Sequence, residues 1–294
     1  MEIANNKEGE YLYIVYTVGV PGLGKSSLVN KLRDYCETIG GVSVEVCVSD
    51  EVRSKVLAQE YSRRSLDMDN LTQDDVFRVE VDSGPKIKEE YNRFIANRLQ
   101  VLKSEDSMIK ILIIDKNYST QSLISFVSGQ AELIFPNTPI STAVLLPKNF
   151  ESLDDSKLGP FRYPTLMIAL MRSLGRQGHL TMKYGPVHSM LSYITCLQSH
   201  CSDEFDQKFP LQTVKRVPVR YYELEKASAF HLDHSNKEAI QRLRNTLVDL
   251  VDKKAEIKDH VENVLKDVQT IMPMNAFVTY DELELRGILK GIIQ

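Results

Sequence analysis

Short apolar runs alternate with longer amphipathic segments along most of the chain. The run YLYIVYTVG at 11–19 is rich in β-branched and aromatic residues and ends at a glycine, which is typical of a buried strand. The segment after it places apolar residues at helical spacing from Leu28 to Ile39, before two glycines. Similar patterns predict further strands at 42–49, 108–117, 141–149 and 217–224, and further helices at 50–61, 85–103 and 166–174.

The predicted strands are almost continuously apolar, and helices separate them along the chain. A strand of this composition has to be covered on both faces, which is the usual situation in a parallel sheet. Helical connections also favour parallel pairing, because each helix carries the chain back to the same end of the sheet. We therefore predict a three-layer α/β domain over residues 8–235, with helices on both faces of a parallel sheet.

Two stretches depart from this pattern. Residues 62–84 are polar and poorly periodic, which predicts an inserted segment with a short helix. Between Ile240 and Ile271 apolar residues recur at steps of three and four, which predicts a helical C-terminal extension over residues 236–294. Residues 240–271 are suited to self-association or to binding a partner helix as a coiled coil. They are also suited to packing on their own domain, as ordinary bundle helices do.

The glycine-rich stretch GVPGLGKSS at 19–27 joins the first predicted strand to the first predicted helix. Its order of glycines, lysine and serine matches the P-loop, and a P-loop requires the same flanking strand and helix. Glycines let consecutive backbone N–H groups turn towards a polyphosphate, and the helix N-terminus adds partial positive charge. The alternative is a simple turn with an exposed lysine. The sequence favours a nucleotide-binding loop made of Gly19, Pro21, Gly22, Gly24, Lys25, Ser26 and Ser27.

A P-loop protein of this kind is expected to be a kinase. The DxxG and NKxD motifs of GTPases are absent at workable positions, and the strand ending at Asp115 continues with Lys116 and Asn117 rather than with the acidic pair of a motor ATPase. In a kinase, Lys25 reaches the outer phosphates and Ser26 offers its hydroxyl to Mg²⁺. We therefore expect Mg²⁺ as a cofactor and ATP or GTP as the phosphate donor.

An acidic and a basic residue follow the second predicted strand. Asp50 ends that strand, and Arg53 lies one helical turn further on. A carboxylate beside the γ-phosphate can accept the proton of an attacking hydroxyl, and a guanidinium can bind an acceptor phosphate. Asp50 is equally suited to cap the next helix, and the two roles are compatible.

Two arginines lie four residues apart in RSLGRQGH at 172–179, on one face of a predicted helix. Arg172 and Arg176 can act as a lid that brings positive charge to a transferring phosphoryl group. They can equally belong to a solvated helix C-terminus, where cations complement the helix dipole.

Four motifs in this order resemble those of the 5′-OH polynucleotide kinase group, which includes phage-type polynucleotide kinase and the kinase domain of fungal-type tRNA ligase. The motifs are GVPGLGKSS, SDEVR, IIDKN and MRSLGRQGH, and the resemblance covers about residues 11–180. It implies a P-loop kinase-type fold and has no counterpart for the C-terminal extension. It also implies Asp50 as the general base, Arg53, Asp115 and Asn117 as acceptor-binding residues, and Lys25, Arg172 and Arg176 on the donor phosphates.

Composition limits the partners and the compartment. The net charge of −4 gives no overall field that would attract nucleic acid, so a local patch has to do so, with Arg63, Arg64, Lys215, Arg216 and Arg220 as candidates. The four cysteines form no CxxC pair, which favours a reducing compartment. The polar start and the lack of a long apolar run predict a cytoplasmic or nuclear protein with no membrane segment.

These expectations define one function and two alternatives. The first is transfer of a γ-phosphoryl group to a 5′-OH end of RNA or DNA, with RNA favoured, in RNA repair or tRNA splicing. The second is a small-molecule kinase, in which Arg53 binds a substrate carboxylate or phosphate. The third is a non-catalytic nucleotide-binding scaffold that associates through its C-terminal helix.

Overall fold

The structure is a computed structural model, and it describes residues 9–19, 22, 24–66, 73–116, 119–147, 207–219 and 280–294. These residues form five strands and five helices in the described part of the chain. The strands are β1 (Tyr11–Thr17), β2 (Val42–Val48), β3 (Ile109–Asp115), β4 (Ile140–Pro147) and β5 (Val214–Val219). The helices are α1 (Lys25–Ile39), α2 (Ser49–Arg63), α3 (Gln73–Ser104), α4 (Gln121–Ile134) and α5 (Glu282–Ile293).

The five strands form one parallel sheet in the order β2-β3-β1-β4-β5. β1 and β3 are almost fully buried along their length, as their mostly apolar sequences require. β1 lies between β3 and β4, with Tyr16 opposite Ile114 on one side and Val144 on the other. The prediction of a three-layer α/β fold is confirmed.

Side chains that alternate along the strands fill two separate cores. On one face α1 and α5 cover the sheet, with Leu28, Leu32, Leu289 and Ile292 among the buried residues. On the other face α3 and α4 provide the cover, with Ile95, Leu99, Val127 and Ala131 buried against the sheet. This alternation follows from the period of two along a strand, and it explains why nearly every strand residue is apolar.

The last helix, α5, is part of the first of these cores. Its apolar residues contact α1, β1 and β5, and Gly291 lies so close to Val217 that an added Cβ would come within 3.1 Å of that side chain. The Tyr13 hydroxyl donates a hydrogen bond to the Ile293 carbonyl at 3.2 Å, and Lys215 Nζ donates one to the Ile292 carbonyl at 3.1 Å. The predicted boundary between residues 235 and 236 stays a prediction, and α5 lies on the same sheet as the earlier helices.

The prediction for residues 62–84 is wrong in part. α2 continues to Arg63, and α3 already begins at Gln73, so the helix expected from residue 85 starts a full three turns earlier and contains Pro85. Proline removes one backbone hydrogen bond and would clash with a straight helix. Val81, whose carbonyl loses its partner, is 59% exposed, so water can satisfy that carbonyl. The predicted helix at 166–174 and the segment 240–271 lie outside the described residues. In the described ranges, no helix has the length and apolarity needed to cross a membrane.

Candidate functional site

Three strand ends meet at the carboxyl edge of the sheet, where α/β proteins of this layout bind ligands. The order β2-β3-β1 places the ends of these strands side by side, with Val48 paired to Asp115 and Tyr16 to Ile114 in the register. The glycine turn leaves this edge after β1, and α2 leaves it after β2. Sequence motifs that are far apart along the chain are therefore neighbours here.

The glycine turn uses backbone conformations that other residues rarely adopt. Gly22 has φ of 73° and Gly24 has φ of 95°, in the left-handed region. Gly24 is the N-cap residue of α1, no side chain caps that end, and the first turn holds no acidic residue. The backbone N–H groups and partial positive charge of the helix start are therefore not neutralised by a capping side chain. Pro21, which was predicted to belong to this turn, lies outside the described residues.

Lys25 and Ser26 begin α1 and differ in exposure. Lys25 is only 5% exposed, although lysine is seldom buried, while Ser26 and Ser27 are exposed. The Ser26 hydroxyl donates a hydrogen bond to Asp115 Oδ2 at 2.6 Å. The contact joins the first residues of α1 to the end of β3.

Asp115 is held between two hydroxyl groups. The residue is 4% exposed, and its second oxygen, Oδ1, accepts a hydrogen bond from Thr17 Oγ1 at 3.1 Å. In the described part of the chain no basic side chain forms an ion pair with this carboxylate. The resemblance assigns Asp115 to the acceptor side, but its hydrogen bonds are with β1 and with the first turn of α1. Asn117, its predicted companion, lies outside the described residues.

Thr17 was not singled out in the sequence and organises this strand end. It is completely buried, and its hydroxyl lies 3.1 to 3.4 Å from Asp115 Oδ1 and from the Ile114 and Lys116 carbonyls. The same hydroxyl accepts a hydrogen bond from the Lys116 backbone N–H at 3.2 Å. The available signal in the sequence was a single polar side chain at the end of an apolar strand, two residues before the glycine-rich stretch.

Asp50 and Arg53 lie in the first turns of α2, beside the end of β3. Val48 occupies the N-cap position and no side-chain hydrogen bond caps the helix, so Asp50 does not act as the N-cap. Arg53 forms an ion pair with Glu80 of α3 at 2.7 Å. Asp50 is close enough to raise the pKa of Tyr91 and to oppose the lowering of the Lys116 pKa, and Arg53 contributes to that lowering. The two predicted residues therefore share one neighbourhood with Lys116.

Burial dominates the electrostatics of this neighbourhood. It raises the pKa of Tyr91 well above the usual value, and the negative charges of Asp115 and Asp50 add to the shift. Tyr91 stays protonated and donates its hydroxyl hydrogen to the Cys47 carbonyl at 2.9 Å. Burial also lowers the pKa of Lys116, whose Nζ lies 5.5 Å from the centre of the Tyr91 ring. Ser119, just after β3, is buried, and its hydroxyl has no hydrogen-bond partner among the residues that the structure describes.

The described residues bring together part of the predicted site. Gly19, Gly22, Gly24, Lys25, Ser26, Ser27, Asp50, Arg53 and Asp115 all lie at the carboxyl edge of the sheet. Arg172 and Arg176 lie outside the described residues, so the predicted lid has no described position. Within the described ranges no group of three or more His, Cys, Asp and Glu side chains could hold a metal ion. The oxygen atoms in contact at this edge are those of the Ser26 hydroxyl and the Asp115 carboxylate.

This arrangement offers three chemical elements at one place. The turn and the start of α1 present backbone donors and a buried ammonium, which suit an anion. Ser26 and Asp115 present oxygen atoms, which suit a hard divalent cation. Asp50, in the first turn of α2 after β2, presents a carboxylate, which suits proton transfer.

Comparisons with known proteins add no assignment. No model of a protein family matches the chain, and a search of curated proteins finds no match either. The resemblance to the 5′-OH polynucleotide kinase group therefore rests on the four motifs alone and stays a hypothesis.

Proposed function

We propose that the protein is a kinase that uses Mg²⁺ and ATP or GTP to phosphorylate a 5′-OH end of RNA or DNA, with RNA favoured, in RNA repair or tRNA splicing. The observation that carries this proposal is the 2.6 Å hydrogen bond between Ser26 and Asp115. In P-loop enzymes, the serine of the loop and an aspartate at a strand end hold the metal ion. Here those two residue types meet, although 89 positions separate them in the sequence.

The donor set at this contact suits Mg²⁺. A magnesium ion prefers oxygen ligands and uses one or two protein oxygens together with substrate phosphates and water. Ser26 and Asp115 would supply those protein oxygens, and the Thr17 hydroxyl orients the carboxylate through a hydrogen bond to its other oxygen, Oδ1. When bound, the ion would neutralise charge on the donor phosphates. Buried Lys25 and the uncapped start of α1 would hold the same phosphates in place.

The proposed transfer needs few protein groups. The acceptor's hydroxyl oxygen forms a bond to the γ-phosphorus, and the bond from that phosphorus to the bridging oxygen breaks, which releases the nucleoside diphosphate. The proton of the hydroxyl passes to the carboxylate of Asp50. Arg53, at 37% side-chain exposure and one turn further along α2, is available to a phosphate of the acceptor once it leaves Glu80.

The test is transfer of labelled γ-phosphate to matched RNA and DNA oligonucleotides, with ATP and GTP offered in turn. Oligonucleotides that already carry a 5′-phosphate are the substrate control. Asp50→Asn should lower the rate by about a hundredfold or more, since a general base contributes roughly 10² to 10⁴. Glu51→Gln is the matched control, because Glu51 is the exposed neighbour in the same helical turn.

Each result separates the candidate functions. Transfer by Asp50→Asn at the wild-type rate would contradict the assignment of the base. Transfer to small hydroxyl compounds but not to oligonucleotides would favour a small-molecule kinase. Nucleotide binding without any loss of γ-phosphate would favour a non-catalytic scaffold.

A further inference from the structure

Helix α3 has two parts that meet at Gly84 and Pro85. The second part, residues 86–104, packs on the sheet and belongs to the large core of that face. The first part, residues 73–84, forms an arm that contacts α2 in a separate cluster, which includes Val79. The two parts of one helix therefore belong to different cores.

Gly84 and Pro85 have the properties of a hinge. Pro85 has no backbone N–H, so the turn that contains Val81 lacks one of its hydrogen bonds. Gly84 has no side chain to restrain it, and a Cβ built there would lie in open space. Helices bend at proline and at glycine, and hinges absorb their change at a few such positions. The arm can therefore turn about this point while the rest of α3 stays on the sheet.

Two ion pairs link the arm to α2. Glu80 Oε2 lies 2.7 Å from Arg53 Nη2, and Asp82 Oδ2 lies 3.0 Å from Arg64 Nη2. The four side chains are between 23% and 58% exposed, so water reaches both pairs. Ion pairs at this exposure contribute little net stability. A competing anion can therefore replace Glu80 at Arg53 with a small loss of free energy.

The position of the arm in this structure, which we call closed, leaves two buried oxygen atoms without hydrogen bonds. Glu80 Oε1 and Ser83 Oγ are both inaccessible to water, and neither has a partner within the described ranges. They lie one helical turn apart and share a face of the arm. A buried polar atom without a hydrogen bond disfavours the conformation that buries it. Hydration of these two atoms in an open position would offset part of the free energy lost with the ion pairs.

We propose that the arm is a gate on acceptor binding, in which Glu80 holds Arg53 until a nucleic-acid 5′ end displaces it and the arm turns about Gly84 and Pro85. This inference rests on the proposed kinase function and adds a conformational step before transfer. In the closed position a carboxylate occupies the Arg53 guanidinium, and in the open position the guanidinium is available to a phosphate. Glu80 is then a positioning residue that acts through Arg53 and does not touch the acceptor.

A purely structural role of Glu80 predicts a different result. If the pair with Arg53 only fastens α3 to α2, Glu80→Gln weakens the fold and leaves acceptor binding unchanged or weaker. If the pair closes a gate, the same change releases Arg53 and strengthens acceptor binding. Glu89→Gln is the matched control, because Glu89 lies on α3 beyond the hinge and also pairs with an arginine, Arg93 at 2.9 Å.

The first measurement is transfer of labelled γ-phosphate to 5′-OH RNA by the full chain and its variants. Glu80→Gln should lower KM for the RNA by about two- to fivefold, the factor that an exposed ion pair is worth, with kcat and the KM for NTP nearly unchanged. Glu89→Gln should behave as wild type. A KM for RNA that stays the same or rises in a folded Glu80→Gln variant would overturn the gate.

The hinge is tested by a second set of variants. Gly84→Ala combined with Pro85→Ala favours a continuous helix and so removes the hinge. In this background Glu80→Gln should no longer lower KM for the RNA, because the two changes act on one movement. A fall in KM that persists without the hinge would show that Glu80 acts on Arg53 alone and would overturn the proposed turn of the arm.

A distance measurement without turnover separates this inference from the kinase proposal. Spin-labelled amino acids at Gln59 of α2 and Arg78 of the arm, both exposed positions, report the separation of the two elements. The distances should extend to longer values in Glu80→Gln without any ligand, and in the wild type when 5′-OH RNA is added. If the wild type transfers no phosphoryl group, the kinase proposal fails, and the ligand-free comparison still decides whether Glu80 holds the arm closed. Identical distances in the wild type and Glu80→Gln, or a wild type that phosphorylates RNA with no change in its distances, overturn the inference.

Discussion

The two edges of the sheet both contain carboxylates and lysines, but these groups have different partners at each edge. At the amino edge, Glu10 binds Lys110, lies 3.4 Å from Lys103 and accepts a hydrogen bond from Thr138 at 3.1 Å. At the carboxyl edge, Asp115 is bound by two hydroxyls and forms no ion pair within the described ranges. The described charges of the first edge neutralise one another, whereas the Asp115 carboxylate at the second edge is bound by hydroxyl groups among the described residues.

The comparison shows that a cavity does not by itself identify a site. A cavity of about 660 Å³ opens at the amino edge and is lined by Glu10, Lys103, Asn137 and Thr138, among others. Its charged groups already satisfy one another. Paired charges of this kind hold strands and helices together. A buried carboxylate that has no positively charged partner, such as Asp115 among the described residues, is stabilised when a cation binds to it.

In the comparison of the two edges, the largest effect is expected from Asp115→Asn. Removal of the charge should lower phosphoryl transfer by about ten- to a hundredfold, as is usual for residues that hold or orient a metal ligand. The Mg²⁺ concentration needed for half-maximal rate should rise as well. The measurement is a magnesium titration of the transfer rate. A rate that stays at wild-type level across the titration would remove Asp115 from the site.

The next effect is expected at the opposite edge and concerns stability. Glu10→Gln leaves the ammonium of Lys110, which is 2% exposed, without its carboxylate. The free energy of unfolding should fall by about 1–3 kcal/mol. Urea denaturation measures the change, and transfer by the folded variant should remain as in the wild type. A large loss of transfer with unchanged stability would contradict the assignment of the amino edge to stability and of the carboxyl edge to catalysis.

The smallest effect is a pH dependence at the amino edge. Burial would raise the pKa of Glu10, but hydrogen bonds from Lys110 and Thr138 outweigh it and hold that pKa below the usual 4.5. A carboxyl group with a lower pKa in the folded state stabilises the fold above pH 4.5 and loses this contribution as the pH falls through its folded pKa. The difference in stability between wild type and Glu10→Gln should therefore shrink below pH 4.5. Denaturation curves between pH 3 and pH 7 would show it, and a constant difference would contradict the assignment.

Local patterns predicted most elements of the fold, but α4 was not predicted, and β5 begins at Val214 rather than at residue 217. β1 and β3 are mostly apolar, and such runs depend little on what lies elsewhere in the chain. The start of α3 was missed because its first turns are polar and Pro85 resembles a helix start. Leu57, Tyr61 and Val79 form a small buried cluster that holds α3 against α2. That cluster depends on tertiary contact, which a local pattern does not contain.

The candidate site was predictable only in its separate parts. The glycine turn is recognisable because its conformation imposes glycines, and Gly22 and Gly24 do have positive φ. The contact of Ser26 with Asp115 depends on β3 lying next to β1, and no local pattern encodes strand order. In the sequence, Lys116 is notable only because it follows Asp115 at a position where a motor ATPase has a second acidic residue. Its position beside Thr17, Tyr91 and the start of α2 depends on the same strand order.

The contact between α5 and β1 affects how the chain can fold while it is being synthesised. The hydrogen bond from Tyr13 to Ile293 spans 280 positions. At a translation rate of about 5–20 residues per second, β1 waits roughly 15 to 60 s for the helix that covers one side of it. Chaperones that shield nascent apolar surface are therefore expected to bind this chain until α5 has left the ribosome.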